Sequence, residues 1–115
     1  MKMNYTQEQV NNIVAEAKAE ARVAAEKFFK ERLGGQDQYA CGFAWVEIAK
    51  IKGNTKLGRM LKAAGVQQDW KRTFSIWNPS GLNCQNVDTK EAGADAAAEV
   101  FEKYGFSAYA GSRLD

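Results

Sequence analysis

The sequence predicts an α/β or α+β domain: a long N-terminal helix followed by a small mixed sheet with two further helices, in the order α-β-α-β-β-α-β. Three observations carry this. Apolar residues recur at heptad spacing from Val10 to Phe28. Two segments, Tyr39–Ile48 and Arg72–Trp77, have the composition and alternation of strands. A second helix-start signature at Asp88 leads into a helix and a terminal alternating segment.

The first helix opens on a capping box, with Thr6 as cap and Gln9 three residues on. Val10, Val14, Ala17, Ala21, Ala24 and Phe28 form its seam, and Ile13, Ala25, Phe29 and Leu33 widen it. Glu26 stands four residues before Lys30, a favourable pair on an exposed face. Gly34-Gly35 ends the helix. Some 27 residues make a rod of about 40 Å, longer than a 115-residue domain is wide. The expectation is a single domain, 1–115. Within it, a helix over 1–35 projects or pairs to make a homo-oligomer, and residues 36–115 form the α/β body.

In the first strand, Cys41, Phe43 and Trp45 fall on one face and Ala40, Gly42, Ala44, Val46 and Ile48 on the other. Both faces are largely apolar, which predicts a central strand covered on both sides. Whether Phe43 and Trp45 face a pocket or a packed helix stays open. Asn54 or Thr55 caps a short helix carrying Leu57, Met60 and Leu61 and stopped by Gly65. In the next strand, Phe74 and Ile76 share one face, and Thr73, Ser75 and Trp77 the other. Asn78-Pro79-Ser80-Gly81 reads as a turn, with Leu82–Val87 returning as a hairpin partner. Asp88 with Glu91 reads as a capping box, followed by Ala92, Ala96, Val100 and Tyr104 on one helix face. Glu99 and Lys103 form a supporting pair, and Gly105 closes that helix. A last strand begins at Phe106.

Composition excludes more than it assigns. The chain has no histidine, which removes Ser-His and Cys-His nucleophiles and imidazole metal ligands together. Its two cysteines, Cys41 and Cys84, cannot close a structural zinc site alone and read as reduced thiols. No metal or cofactor is therefore expected. No apolar run is long enough for a membrane span, and the polar N-terminus does not read as a signal peptide. Net charge is +2, too little for a duplex-binding protein. The charge is uneven: +1 over residues 1–33, +4 over 34–87 and −3 over 88–115. The middle zone, which includes Lys50, Lys52, Arg59, Lys62, Lys71 and Arg72, reads either as a solvated face or as a site for a small anion such as phosphate.

The candidate binding residues are aromatics and arginines next to polar turns. Trp77 ends a strand beside Asn78, where an indole can stack on a base and an amide can read its edge. Tyr109 and Arg113 share an alternating face if the last strand continues that far. Asn86, Phe74, Arg59 and Arg72 complete the set, the arginines as phosphate holders. Trp70, in a polar loop, is either an exposed contact or a lid. Glu47, Asp69 and Asp88 form no recognisable acid/base pair.

Four blocks together resemble a set of small tailed-phage proteins of uncharacterised function. They are Cys41-Gly42-Phe43-Ala44-Trp45-Val46, Gly53-Asn54-Thr55-Lys56, Trp77-Asn78-Pro79-Ser80 and Ala108-Tyr109-Ala110-Gly111-Ser112-Arg113-Leu114-Asp115. The resemblance covers about residues 40–115. More loosely, the small size, the long first helix and the aromatic and arginine content are similar to phage Thoeris anti-defence sponge proteins, from which no residue is carried over. That likeness implies a non-enzymatic protein that sequesters a cyclic ADP-ribose-like or cyclic oligonucleotide immune signal in the cytoplasm of an infected bacterium. The alternatives are a protein–protein inhibitor of a host or CRISPR component, and an enzyme acting on a nucleotide through carboxylates.

Overall fold

The computed structural model describes residues 4–115. Its elements run α1 (Gln7–Leu33), β1 (Gly42–Ala49), α2 (Lys56–Ala63), β2 (Gln67–Gln68), β3 (Phe74–Trp77), α3 (Val87–Lys103) and β4 (Ser107–Leu114). The strands form one sheet in the order β2-β3-β1-β4, and every pairing is antiparallel. The architecture is thus α+β, and the expected mixed sheet is a fully antiparallel one.

The helix ends follow local chemistry. Thr6 and Gln9 make the reciprocal capping box, and Gly34 ends α1 in the left-handed conformation at φ 62°. Thr55 caps α2 by accepting from the Gly58 amide. The cap of α3 is not Asp88 but Asn86, whose side chain accepts from the Thr89 amide at 2.7 Å. Asp88 lies in the first turn, and Glu91 accepts instead from the Ser112 hydroxyl. Ion pairs also differ from the expected ones. Glu26 pairs with Arg22, and Lys103 crosses to Glu16 on α1.

Most of the α1 seam is filled within the chain, though Ala24 and Phe28 at its C-terminal end are only half-buried. Val10, Ile13, Val14, Ala17, Ala21 and Ala25 are buried, as are Gly93, Ala94, Ala97 and Ala98 of α3. Small residues on both helices let the backbones approach. A Cβ at Gly93 would lie 2.9 Å from the Ser80 Cβ and 3.2 Å from the Ala21 carbonyl oxygen. The helix does run the length of the molecule, whose longest extent is 43 Å, but most of its apolar stripe is already covered within the chain. The stripe on α3 is rotated from the expected one, since Ala92 and Ala96 are only half-buried.

The sheet is covered on one face only. Ala44, Val46, Ile48, Phe74, Ile76 and Ala108 point into the core beneath the helices. β1 is central, as expected, but its other face, with Phe43, Trp45 and Glu47, is open. Leu82–Val87 forms no strand. Both sides of β3 are taken, by β2 and β1, and the segment instead meets Cys41, the residue before β1, through one bridge to Asn86, with the Gln85 and Asn86 amides donating to Asp37. The fourth strand is the two-residue β2, which precedes β3. Among the described residues, no helix is long and apolar enough to cross a membrane.

Candidate functional site

Strand alternation collects the exposed side chains of three strands on the uncovered face. Across the ladders, Trp45 stands opposite Trp77 and Gly111, Phe43 opposite Arg113, and Glu47 opposite Ser75 and Tyr109. Such directly opposed pairs touch. The Trp45 and Trp77 rings stack with centroids 4.9 Å apart and planes 30° apart, and Phe43 meets Trp77 edge-on at 6.1 Å. The Arg113 guanidinium lies over both, 5.4 Å from the Phe43 centroid and 5.8 Å from that of Trp77. Lys90 approaches Phe43 at 5.3 Å while donating to the Gly42 carbonyl at 2.8 Å.

Glu47 stands between the indole of Trp45 and the phenol of Tyr109 in the strand register. Trp45 Nε1 donates to Glu47 Oε1 at 2.8 Å. The hydrogen bond to Glu47, with some burial and the carboxylate's charge, holds the Tyr109 phenol above its ordinary range. Tyr109 is therefore a neutral donor at physiological pH. The Asp69–Thr73 turn closes one side, with Asp69 Oδ1 accepting from the Thr73 amide at 2.8 Å. Trp70 on that turn is 87% exposed, with Lys71 5.1 Å from its ring centroid. The cleft between turn and sheet holds about 580 Å³ and is lined by Trp45, Trp77, Tyr109, Arg113, Trp70 and Glu47, among others. That volume accommodates a small organic ligand.

Of the eight residues nominated from sequence, this face unites three: Trp77, Tyr109 and Arg113. Phe74 is fully buried on the opposite side of the sheet, so it is a core residue and not a stacking surface. Asn86 is buried as the α3 cap, with its amide donating to Asp37 Oδ1 at 2.8 Å. Asn78 adopts φ 46° and donates to the Leu82 carbonyl at 3.1 Å, which fixes the turn after Trp77. Arg59, on α2, donates to the Asn54 carbonyl just before that helix and lines no part of the cleft. Arg72 follows Lys71 directly yet lines a separate cavity behind the turn.

Phe43, Trp45, Glu47, Trp70, Lys71 and Lys90 join the cleft or its margin although none was nominated. Alternation with Trp77 and Arg113 could have found Phe43 and Trp45 once one face was known to be open. Lys90 carries no such signal, because it reaches the face from α3.

The chemistry available is stacking, cation–π contact and hydrogen bonding. Glu47 is engaged by Trp45 and Tyr109, and Asp69 caps its own turn. Ser75 in the cleft is almost inaccessible. Among the described residues, no group of three or more Cys, Asp or Glu side chains is placed to hold a metal ion. No protein-family model, curated protein or solved structure matches the chain.

Proposed function

We propose that this chain binds a small nucleotide without transforming it, and that a phage uses it to sequester a nucleotide immune signal of the cyclic ADP-ribose or cyclic oligonucleotide kind. One observation carries the binding part: Phe43, Trp45 and Trp77 form an aromatic surface on an uncovered sheet face, with Arg113 laid across it. Every base has a π-face, and stacking on an aromatic side chain contributes about 1–3 kcal/mol per base. Arg113 supplies a planar, permanently charged fork for phosphate. Sequestration asks for affinity and no turnover, which suits a cleft whose carboxylates are tied up in positioning. The phage setting and the site of action in the infected cell's cytoplasm rest on the sequence resemblance alone.

A homo-oligomer built through α1 would use the outward side of that helix, where Val23 is exposed, or the half-buried C-terminal end of the seam at Ala24 and Phe28, because the rest of the seam is buried against the chain's own core.

Calorimetric titration with cyclic ADP-ribose isomers and cyclic di- and trinucleotides tests the reading, followed by mass spectrometry of ligand released on heating. Binding with an unchanged ligand mass is expected. An altered mass makes the protein an enzyme. No heat with any of these ligands leaves the aromatic face as the anchor of a protein–protein inhibitor, since exposed tryptophans and an arginine are also what dominates protein interfaces.

A further inference from the structure

We infer that a second, phosphate-binding site lies behind the Asp69–Thr73 turn, separate from the aromatic cleft and not dependent on the stacking reading. A cavity of about 630 Å³ is lined there by Lys52, Gly53, Asn54, Lys62, Gln68 and Arg72. Three of these carry a positive charge, and no lining residue carries a negative one. None of the three cations takes part in an ion pair among the described residues. Converging like charges in a concave surface repel each other and raise the local concentration of anions. The aromatic cleft is different, since it contains Glu47 and Asp69.

Two of the polar side chains, Gln68 and Lys62, pack against the backbone at Gly53. Gly53 lies so close to its neighbours that a Cβ would fall 2.8 Å from both amide atoms of Gln68 and 3.0 Å from Lys62 Nζ. Gln68 donates to the Arg72 carbonyl at 3.0 Å, closing the turn that carries Arg72. Arg72 itself sits at φ 64°, and the change of direction puts it in this cavity while Lys71 lines the other. The ligand class is a phosphate or pyrophosphate group. It can belong to a small molecule or to a single-stranded nucleic-acid backbone.

The test is calorimetric titration of the full chain with inorganic pyrophosphate and, in a second arm, with a short oligothymidylate at the same ionic strength. The variants are Lys62→Gln with Arg72→Gln, Lys30→Gln as a surface-charge control on α1, and Trp77→Ala. Wild type is expected to bind pyrophosphate, the double variant to bind at least tenfold more weakly, and the Lys30 and Trp77 variants to bind as wild type. Tighter binding of the oligothymidylate, with the same dependence on Lys62 and Arg72, assigns the site to a nucleic-acid backbone; binding of pyrophosphate alone assigns it to a small molecule. The proposal is overturned if wild type does not bind, if the double variant binds unchanged, or if Lys30→Gln weakens binding equally. Because pyrophosphate contains no base, failure of that arm leaves the stacking reading untouched, and loss of nucleotide binding in Trp77→Ala with pyrophosphate binding retained leaves this site untouched.

Discussion

The Trp45 indole lies over Gly111 of the neighbouring strand, so close that a Cβ at position 111 would fall 2.5 Å from two of the ring atoms. Glycine weakens a strand unless something needs the space above it. Here the indole occupies that space and is thereby set against Trp77. Gly111→Ala is expected to push the ring off β4, lower stability by about 1–3 kcal/mol as overpacking does, and weaken the tryptophan exciton couplet in far-ultraviolet circular dichroism. An unchanged couplet in this variant would mean that the stack does not depend on the glycine.

Arg113 and Trp77 are exposed, and their mutual contact is a surface cation–π pair worth about 0.5–1 kcal/mol. Arg113→Ala should therefore leave the denaturation midpoint nearly unmoved while reducing nucleotide affinity tenfold or more. Equal losses in stability and affinity would make Arg113 a structural residue.

Phe74 is the contrasting case. It is fully buried among Val46, Ile48, Phe101 and the rest of the core. Phe74→Ala should cost about 3–5 kcal/mol, as measured by urea denaturation. Any binding it loses should track the unfolded fraction.

Asn86 joins two segments. It caps α3 through Thr89 and is held by Asp37, which also accepts from the Gln85 amide at 2.6 Å. Asn86→Ala removes a cap worth about 1 kcal/mol and leaves Asp37 with fewer donors. A thermal midpoint unchanged within error would show that the cap is dispensable.

Acid should loosen the same joint. The Asn86 side chain and the Gln85 amide hold the Asp37 carboxyl below its ordinary range, and Lys103 with Tyr104 does the same for Glu16. A depressed carboxylate contributes stability that is present above its unfolded-state pKa and lost as pH falls through the folded one. Stability should therefore hold at neutral pH and decline only on the acid side of the normal carboxylate range. Asp37→Asn should flatten part of that decline when midpoints are compared across pH, and an identical acid limb in wild type and variant would exclude Asp37 as its source.

Much of this molecule is decided by neighbours along the chain. The Thr6–Gln9 box, the Gly34 stop, the Thr55 cap and the alternation of β1 and β3 involve groups a few residues apart, so residue order alone makes them legible. The absence of histidine likewise narrows the chemistry before any fold is known. Distant partners decided the rest. β2 and β1 took both sides of β3 and left no edge for a hairpin, α3 covered most of the α1 seam, and both long helices settled on one side of the sheet. That last choice made Phe74 core and Trp45 surface. A strand apolar on both faces shows which residues share a face, but not which face will be covered, because burial depends on where the helices pack.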